Sequence, residues 1–179
     1  MKLEIRPVKP DEVPQTSAIY VDCWQHDYRG IVPTELIEGF DIDLEAEQCR
    51  NWLYEETEDL RLLYVAIIDN QVVGYTSATL VDPSLEVDYE IEICDLFVRK
   101  EYRGQGIGRE LLKVMAQVLK ERGYSSLILY NWRELESNKF YRYLGGKIIK
   151  EEIQNCGEKK MKTDIFGWQI DDLISHCID

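Results

Sequence analysis

Between Leu96 and Leu112 the chain reads Leu-Phe-Val-Arg-Lys-Glu-Tyr-Arg-Gly-Gln-Gly-Ile-Gly-Arg-Glu-Leu-Leu. An apolar strand passes through a glycine-rich turn into a helix. Glycines at 104, 106 and 108 let backbone approach an anion without Cβ interference, and the first amides of the helix have no intrahelical acceptor. The segment therefore predicts a diphosphate cradle with a leucine-rich helix behind it. It fits neither the dinucleotide pattern G-x-G-x-x-G, since position 109 is Arg, nor the P-loop, since no Lys-Ser or Lys-Thr pair follows.

Arg103-x-x-Gly106-x-Gly108 resembles the acetyl-CoA-binding motif of the GNAT superfamily of N-acetyltransferases, in which Arg or Gln precedes G-x-G/A at a helix start. The resemblance implies an α/β (α+β) fold, a mixed and mostly antiparallel central sheet flanked by helices, with acetyl-CoA as cosubstrate and no metal. It also implies that Arg103, Gly104, Gln105, Gly106, Ile107, Gly108 and Arg109 meet the cofactor.

Charge points the same way. The net charge of −13 argues against a nucleic-acid surface, which needs a cationic footprint. Arg99, Lys100, Arg103 and Arg109 nevertheless cluster around the turn with Glu101 as the only acid among them. Five scattered cysteines and two histidines, with no C-x-x-C pair, predict neither a disulfide framework nor a zinc site. The start Met-Lys-Leu-Glu-Ile-Arg has no apolar signal core, and no apolar run suits a membrane helix, so a cytoplasmic protein is expected. Whether it forms a homodimer is left open.

Without repeats or linkers, residues 1–179 are expected to form one domain. Leu3 and Ile5 predict a first strand, and helical spacing predicts a helix over about 11–28, broken by Gly30 and Pro33. A second helix is expected from Asp43 as cap. Residues 62–68 and 72–78 predict a hairpin around Asp69-Asn70-Gln71, followed by a long strand over 88–98. Leu111, Leu112, Met115, Val118 and Leu119 form a helical stripe that Gly123 would close. A strand over 126–130, a short helix over 137–144 and a strand pair around Asn155-Gly157 complete the chain.

That order is the order of the GNAT fold. Trp24-x-x-x-Tyr28-Arg29-Gly30-Ile31-Val32-Pro33 resembles the W-x-x-x-Y-x-G-I/V-x-P stretch of a large bacterial branch, which implies an acceptor-binding role for Trp24 and Tyr28; packing is the other reading of both. Gly167-Trp168 with Asp171-Asp172-Leu173 resembles that branch's closing strand and tail. Ser137 to Gly146 is similar to the family's A-x-x-F-Y-x-x-L-G segment, which implies that Tyr141 is the general acid. A phenol there would protonate the departing CoA sulfur. The family's Asn before this tyrosine is replaced by Glu134 and Leu135, leaving Asn131 or Asn138 to hold the pantetheine or the helix start.

A base is needed because an alkylamine near neutral pH is mostly protonated. Asp88, Glu90 and Glu92 fall at period two and so are expected on one strand face. Glu92 stands where histone-acetylating members keep a glutamate, with Glu90 or a water chain as alternatives. The resemblance also implies a bulge before the turn, so that Leu96, Phe97 and Val98 meet the cofactor through their main chain. Cys94 could be a nucleophile in a ping-pong route, but no histidine is near it in sequence. The resemblance puts Glu35, Glu38, Asp41 and Asp43 beside the acceptor, and such a field would favour a cationic amine. The function expected is direct acetyl transfer to a primary amine of a small molecule or peptide. A non-catalytic acyl-CoA sensor, or a domain whose turn binds another nucleotide, are the alternatives.

Overall fold

The computed structural model describes residues 2–57 and 59–178. In β2 (Arg61–Ile68) and β3 (Gln71–Leu80) both faces of the strand are buried, which is why they read as apolar runs rather than alternation. Leu63, Val65, Ile67, Val72 and Tyr75 pack with Ile19 and Cys23 of α1 (Val13–Asp27) on one face. Ala66, Ile68 and Val73 pack on the other with Ile107 and Leu111 of α4 (Ile107–Glu121). The turn between the strands puts Asp69 and Asn70 at φ 49° and 65°. Short polar side chains tolerate that conformation, and it matches the twist of a two-residue hairpin.

Among the described residues seven strands form one sheet in the order β1-β2-β3-β4-β5-β7-β6. Besides β2 and β3 these are β1 (Glu4–Pro7), β4 (Ile91–Val98), β5 (Ser126–Trp132), β6 (Lys147–Cys156) and β7 (Lys159–Gln169). Every pairing is antiparallel except β4 with β5, which the crossover helix α4 makes parallel. α3 (Ile42–Tyr54) lies with α1 on one face. α5 (Asn138–Tyr143) and α6 (Ile170–His176) join α4 on the other, around Met115, Leu119, Tyr141, Leu144 and Leu173. Gly123, at φ 93°, follows the end of α4. Among the described residues no helix is long and apolar enough to cross a membrane.

Three local expectations are corrected. A short helix, α2 (Thr34–Glu38), follows Pro33, where only chain breakers were read. The cap of α3 is Asp41, whose carboxylate accepts from the Leu44 amide at 2.9 Å; Asp43 already sits inside the first turn. The long strand begins at Ile91 rather than at 88. A 3₁₀ turn at Pro83–Leu85 and Glu86 at φ 54° redirect the chain before it. Asp88 and Glu90 therefore lie outside the strand, and the expected three-carboxylate row reduces to Glu92.

Candidate active site

The parallel register of β4 and β5 covers only Ile91–Ile93 against Leu127–Leu129, yet β4 continues to Val98 and β5 to Trp132. Beyond Ile93 the two strands part and leave a notch in the sheet. A bulge sits at the same place: Ser77 pairs with Asp95 and Ala78 with Ile93, so Cys94 has no partner on β3. The Arg99 amide donates to the Val73 carbonyl at 2.8 Å, which fixes the alternation of the antiparallel ladder. By that alternation the Phe97 amide faces β3, whereas the amides of Leu96 and Val98 face the notch.

The notch opens into a cleft of about 1050 Å³. Leu96, Phe97 and Val98 line it from β4, and Leu129, Tyr130 and Asn131 line it from β5. Residues 103–109 form one end, Asp27 and Tyr28 of the first-helix segment reach it, and Phe140 and Tyr141 enter from α5. Thus the whole glycine turn, the strand residues, Tyr28 and Tyr141 come together. Trp24, Glu90, Glu92 and Asn138 are not part of this lining.

The turn has the build of an anion cradle. Gly104 and Gly106 sit at φ 73° and 82°, where a side chain is strained, and α4 starts directly after Gly106 with no side-chain cap. Its first amides are therefore unclaimed. Arg109 Nε is buried without a hydrogen-bond partner among the described residues. An orphaned cationic donor beside free helix amides fits a diphosphate. Arg103 is differently engaged. Its guanidinium donates to both carboxylate oxygens of Asp27 at 2.8 and 2.6 Å, and its Nε donates to the Val98 carbonyl at 2.9 Å. It ties α1 to the turn rather than pointing freely into the cradle.

Tyr141 is 6% exposed, wedged between Phe140, Phe166 and Trp168. Burial, then the nearby Tyr28 phenol, raises its pKa, so it stays a protonated donor. The loop that carries α5 is pinned from below. Asn138, 3% exposed, donates to the carbonyls of Trp132, Arg133 and Leu135 and accepts from Asn131 at 2.8 Å. Its amide is fully used by the chain, which makes it a support for α5 rather than a cofactor contact. Asn131 faces the cleft. Arg133 braces the same loop by pairing with buried Asp164.

The two candidate bases differ sharply. Glu90 accepts from the amide and hydroxyl of Ser125 at 2.7 and 2.8 Å and from the Ser126 amide at 3.2 Å, at the end of β4 away from the turn. These hydrogen bonds hold its carboxylate below the usual glutamate range. Glu92 is half-buried where β4 and β5 still pair. Burial, then the charges of Asp82 and Asp95, raises its pKa. It also helps, after burial, to push the cleft-lining Tyr130 up to about 12.

For Cys94, desolvation and then Glu92 and Asp95 raise the thiol's pKa, the opposite of what a nucleophilic thiolate requires. Neither histidine lines a cavity that Cys94 lines: His26 bonds the Asp22 carbonyl on α1 and His176 the Asp172 carbonyl on α6. Trp24 stacks on Tyr28 at 4.5 Å and meets Trp132 edge-on at 5.7 Å, backing the cleft wall that Tyr28 forms. Glu35, Glu38, Asp41 and Asp43 are exposed and line neither this cleft nor the smaller cavity beside it. The acids that line the cleft are Asp27, Glu134 and Glu136, while Asp95 lines the smaller cavity and Glu92 neither. Reading the sequence alone missed Asp27 and Asp95; an aspartate between Ile93-Cys94 and Leu96-Phe97 was the one signal for the latter.

Comparison with known proteins agrees with this architecture. The profile of the acetyltransferase (GNAT) family matches residues 16–145. An uncharacterized N-acetyltransferase, YuaI, of Bacillus subtilis is 23% identical, over 92% of this chain and 91% of its own. A spermidine N(1)-acetyltransferase of Thermoplasma acidophilum is 22% identical, over 84% and 91%. The crystal structure of the PaiA N-acetyltransferase of that organism, in complex with coenzyme A, superposes with a TM-score of 0.67 at 19% identity, over 94% of this chain and 99% of the other. With the profile spanning most of its length, the chain belongs to the acetyltransferase (GNAT) family.

Proposed function

We propose that this protein transfers the acetyl group of acetyl-CoA to a primary amine of a small molecule or peptide, by direct attack with both substrates bound. The observation that carries this reading is the notch. It runs from a phosphate cradle, past unpaired strand amides, to the Tyr141 phenol. Acetyl-CoA, when bound, supplies the activated thioester and a thiol leaving group. The amides of Ile107, Gly108 and Arg109, with the Arg109 guanidinium, hold its diphosphate. The Leu96 and Val98 amides donate to the pantetheine and to the oxyanion that develops on attack. Tyr141 donates its proton to the departing sulfur.

Glu92 serves as the base. Its raised pKa moves it toward the operating pH, and it stands on β4 two residues before the cleft-lining Cys94. Glu90 is the weaker claimant, because four donor groups converge on its Oε2 and hold the carboxylate at the far end of β4. The raised thiol of Cys94 favours direct transfer over an acetyl-enzyme. The stretch from Trp24 to Pro33 supports membership of the bacterial branch that it resembles, and the spermidine-acetylating relative supports an amine acceptor.

The test is an amine panel read with a thiol reagent. Acetyl-CoA-dependent thiol release with at least one primary amine supports the reading. Tight acetyl-CoA binding with no release across the panel would favour a sensor instead.

A further inference from the structure

Beside the cleft lies a second cavity of about 300 Å³, between α1, α3 and the sheet face that they cover. Its walls are aromatic and acidic: Tyr20, Trp52 and Tyr75 with Glu45 and Asp95. Cys94, the bulged residue, lines both this cavity and the cleft. The cavity and the cleft therefore adjoin at the bulge, and Asp95 stands next to it. Asp95 accepts from the Ser77 hydroxyl at 2.6 Å, and among the described residues no cationic side chain lies within ion-pair distance of Asp95 or Glu45.

We infer that this cavity receives the second, non-reacting ammonium group of a diamine or polyamine acceptor, with Asp95 as its principal anchor and Glu45 as its outer one. A carboxylate among aromatic walls is costly without a countercharge. An incoming ammonium supplies one, the aromatic faces add cation–π attraction, and the methylene spacer matches the apolar surface between them. The reacting nitrogen then remains on the cleft side of Cys94. Burial raises the pKa of both carboxylates, as expected for anchors lacking a cation. The cavity, rather than the exposed acids of the α2 region, sets the preference for charge.

The proposal rests on the acetyl-transfer reading above, and the experiment separates the two. The ratio of kcat/KM for 1,5-diaminopentane over pentylamine is measured for the wild type, Asp95→Asn and Glu45→Gln, alongside calorimetric titration of both amines and of acetyl-CoA. The wild type should favour the diamine by roughly tenfold to a hundredfold, the range of one charge-assisted hydrogen bond. Asp95→Asn should bring the ratio close to unity and Glu45→Gln should lower it partway, with acetyl-CoA affinity reporting that both variants are folded. A ratio that Asp95→Asn leaves intact, or a wild type indifferent to the second nitrogen, overturns the proposal. Diamine binding that depends on Asp95 without any acetyl transfer would keep the anchor and overturn the acetyl-transfer reading instead.

Discussion

As the proposed acid and base, Tyr141 and Glu92 need opposite protonation states, and their surroundings differ. Burial among Phe140, Phe166 and Trp168 keeps the phenol protonated, as the proposed acid requires. Tyr141→Phe should lower kcat by roughly tenfold to a thousandfold with acetyl-CoA affinity nearly unchanged. An undiminished kcat would remove Tyr141 from the chemistry. Glu92 must be deprotonated to act, so activity falls as pH drops through its pKa, and a raised pKa places that limb above the ordinary glutamate range. Glu92→Gln should abolish this acid limb in the kcat/KM profile. Glu90 carries the reverse sign: its lowered pKa contributes stability that is present above the ordinary glutamate value and is lost as pH falls through the folded one. Glu90→Gln should leave the pH–rate profile alone and lower Tm by only about 1–2 °C, because water screens an exposed carboxylate and leaves its hydrogen bonds worth about 0.5 kcal/mol.

At the level of elements, the glycine turn makes the sharpest claim. An added Cβ at Gly106 would touch nothing nearer than the Arg109 side chain at 3.8 Å, so space is not what demands glycine there; φ of 82° is. Gly106→Val should fold, because left-handed strain of about 1–2 kcal/mol is bearable, yet lose acetyl-CoA binding as the turn relaxes and its amides swing away. Wild-type affinity in a calorimetric titration would dismiss the cradle. The turn was legible in the sequence because glycine spacing, a basic cluster and a leucine stripe all speak locally. The paired strands were legible for the same reason, through apolar runs and Asp69-Asn70. What sequence could not carry was non-local. The parting of β4 from β5 is a matter of register between strands separated by a helix, and the second cavity gathers residues from five elements. Asp88, Glu90 and Glu92 keep period two on paper, and only the turn at Pro83–Leu85 and the grip of Ser125 on Glu90 break the row. The Arg103–Asp27 pair likewise joins residues 76 positions apart.

Across the whole molecule, that pair fastens α1 to the glycine turn, the proposed cofactor cradle. Asp27 also sets a negative charge in the lining of an anion site. Asp27→Asn should therefore tighten acetyl-CoA binding by about two- to fivefold at low salt, the scale of one partly exposed ion pair, with the gain shrinking as ionic strength rises. A loss of affinity would mean that the pair's bracing outweighs its charge. The unzipped stretch between β4 and β5 has a consequence of a different kind. A wall with a slit can be approached from both rooms at once: cleft lining comes from the α4 side and from the α1 side alike. On the proposed direct transfer neither substrate has to vacate its berth to admit the other, and double-reciprocal plots at several fixed acetyl-CoA concentrations should intersect rather than run parallel.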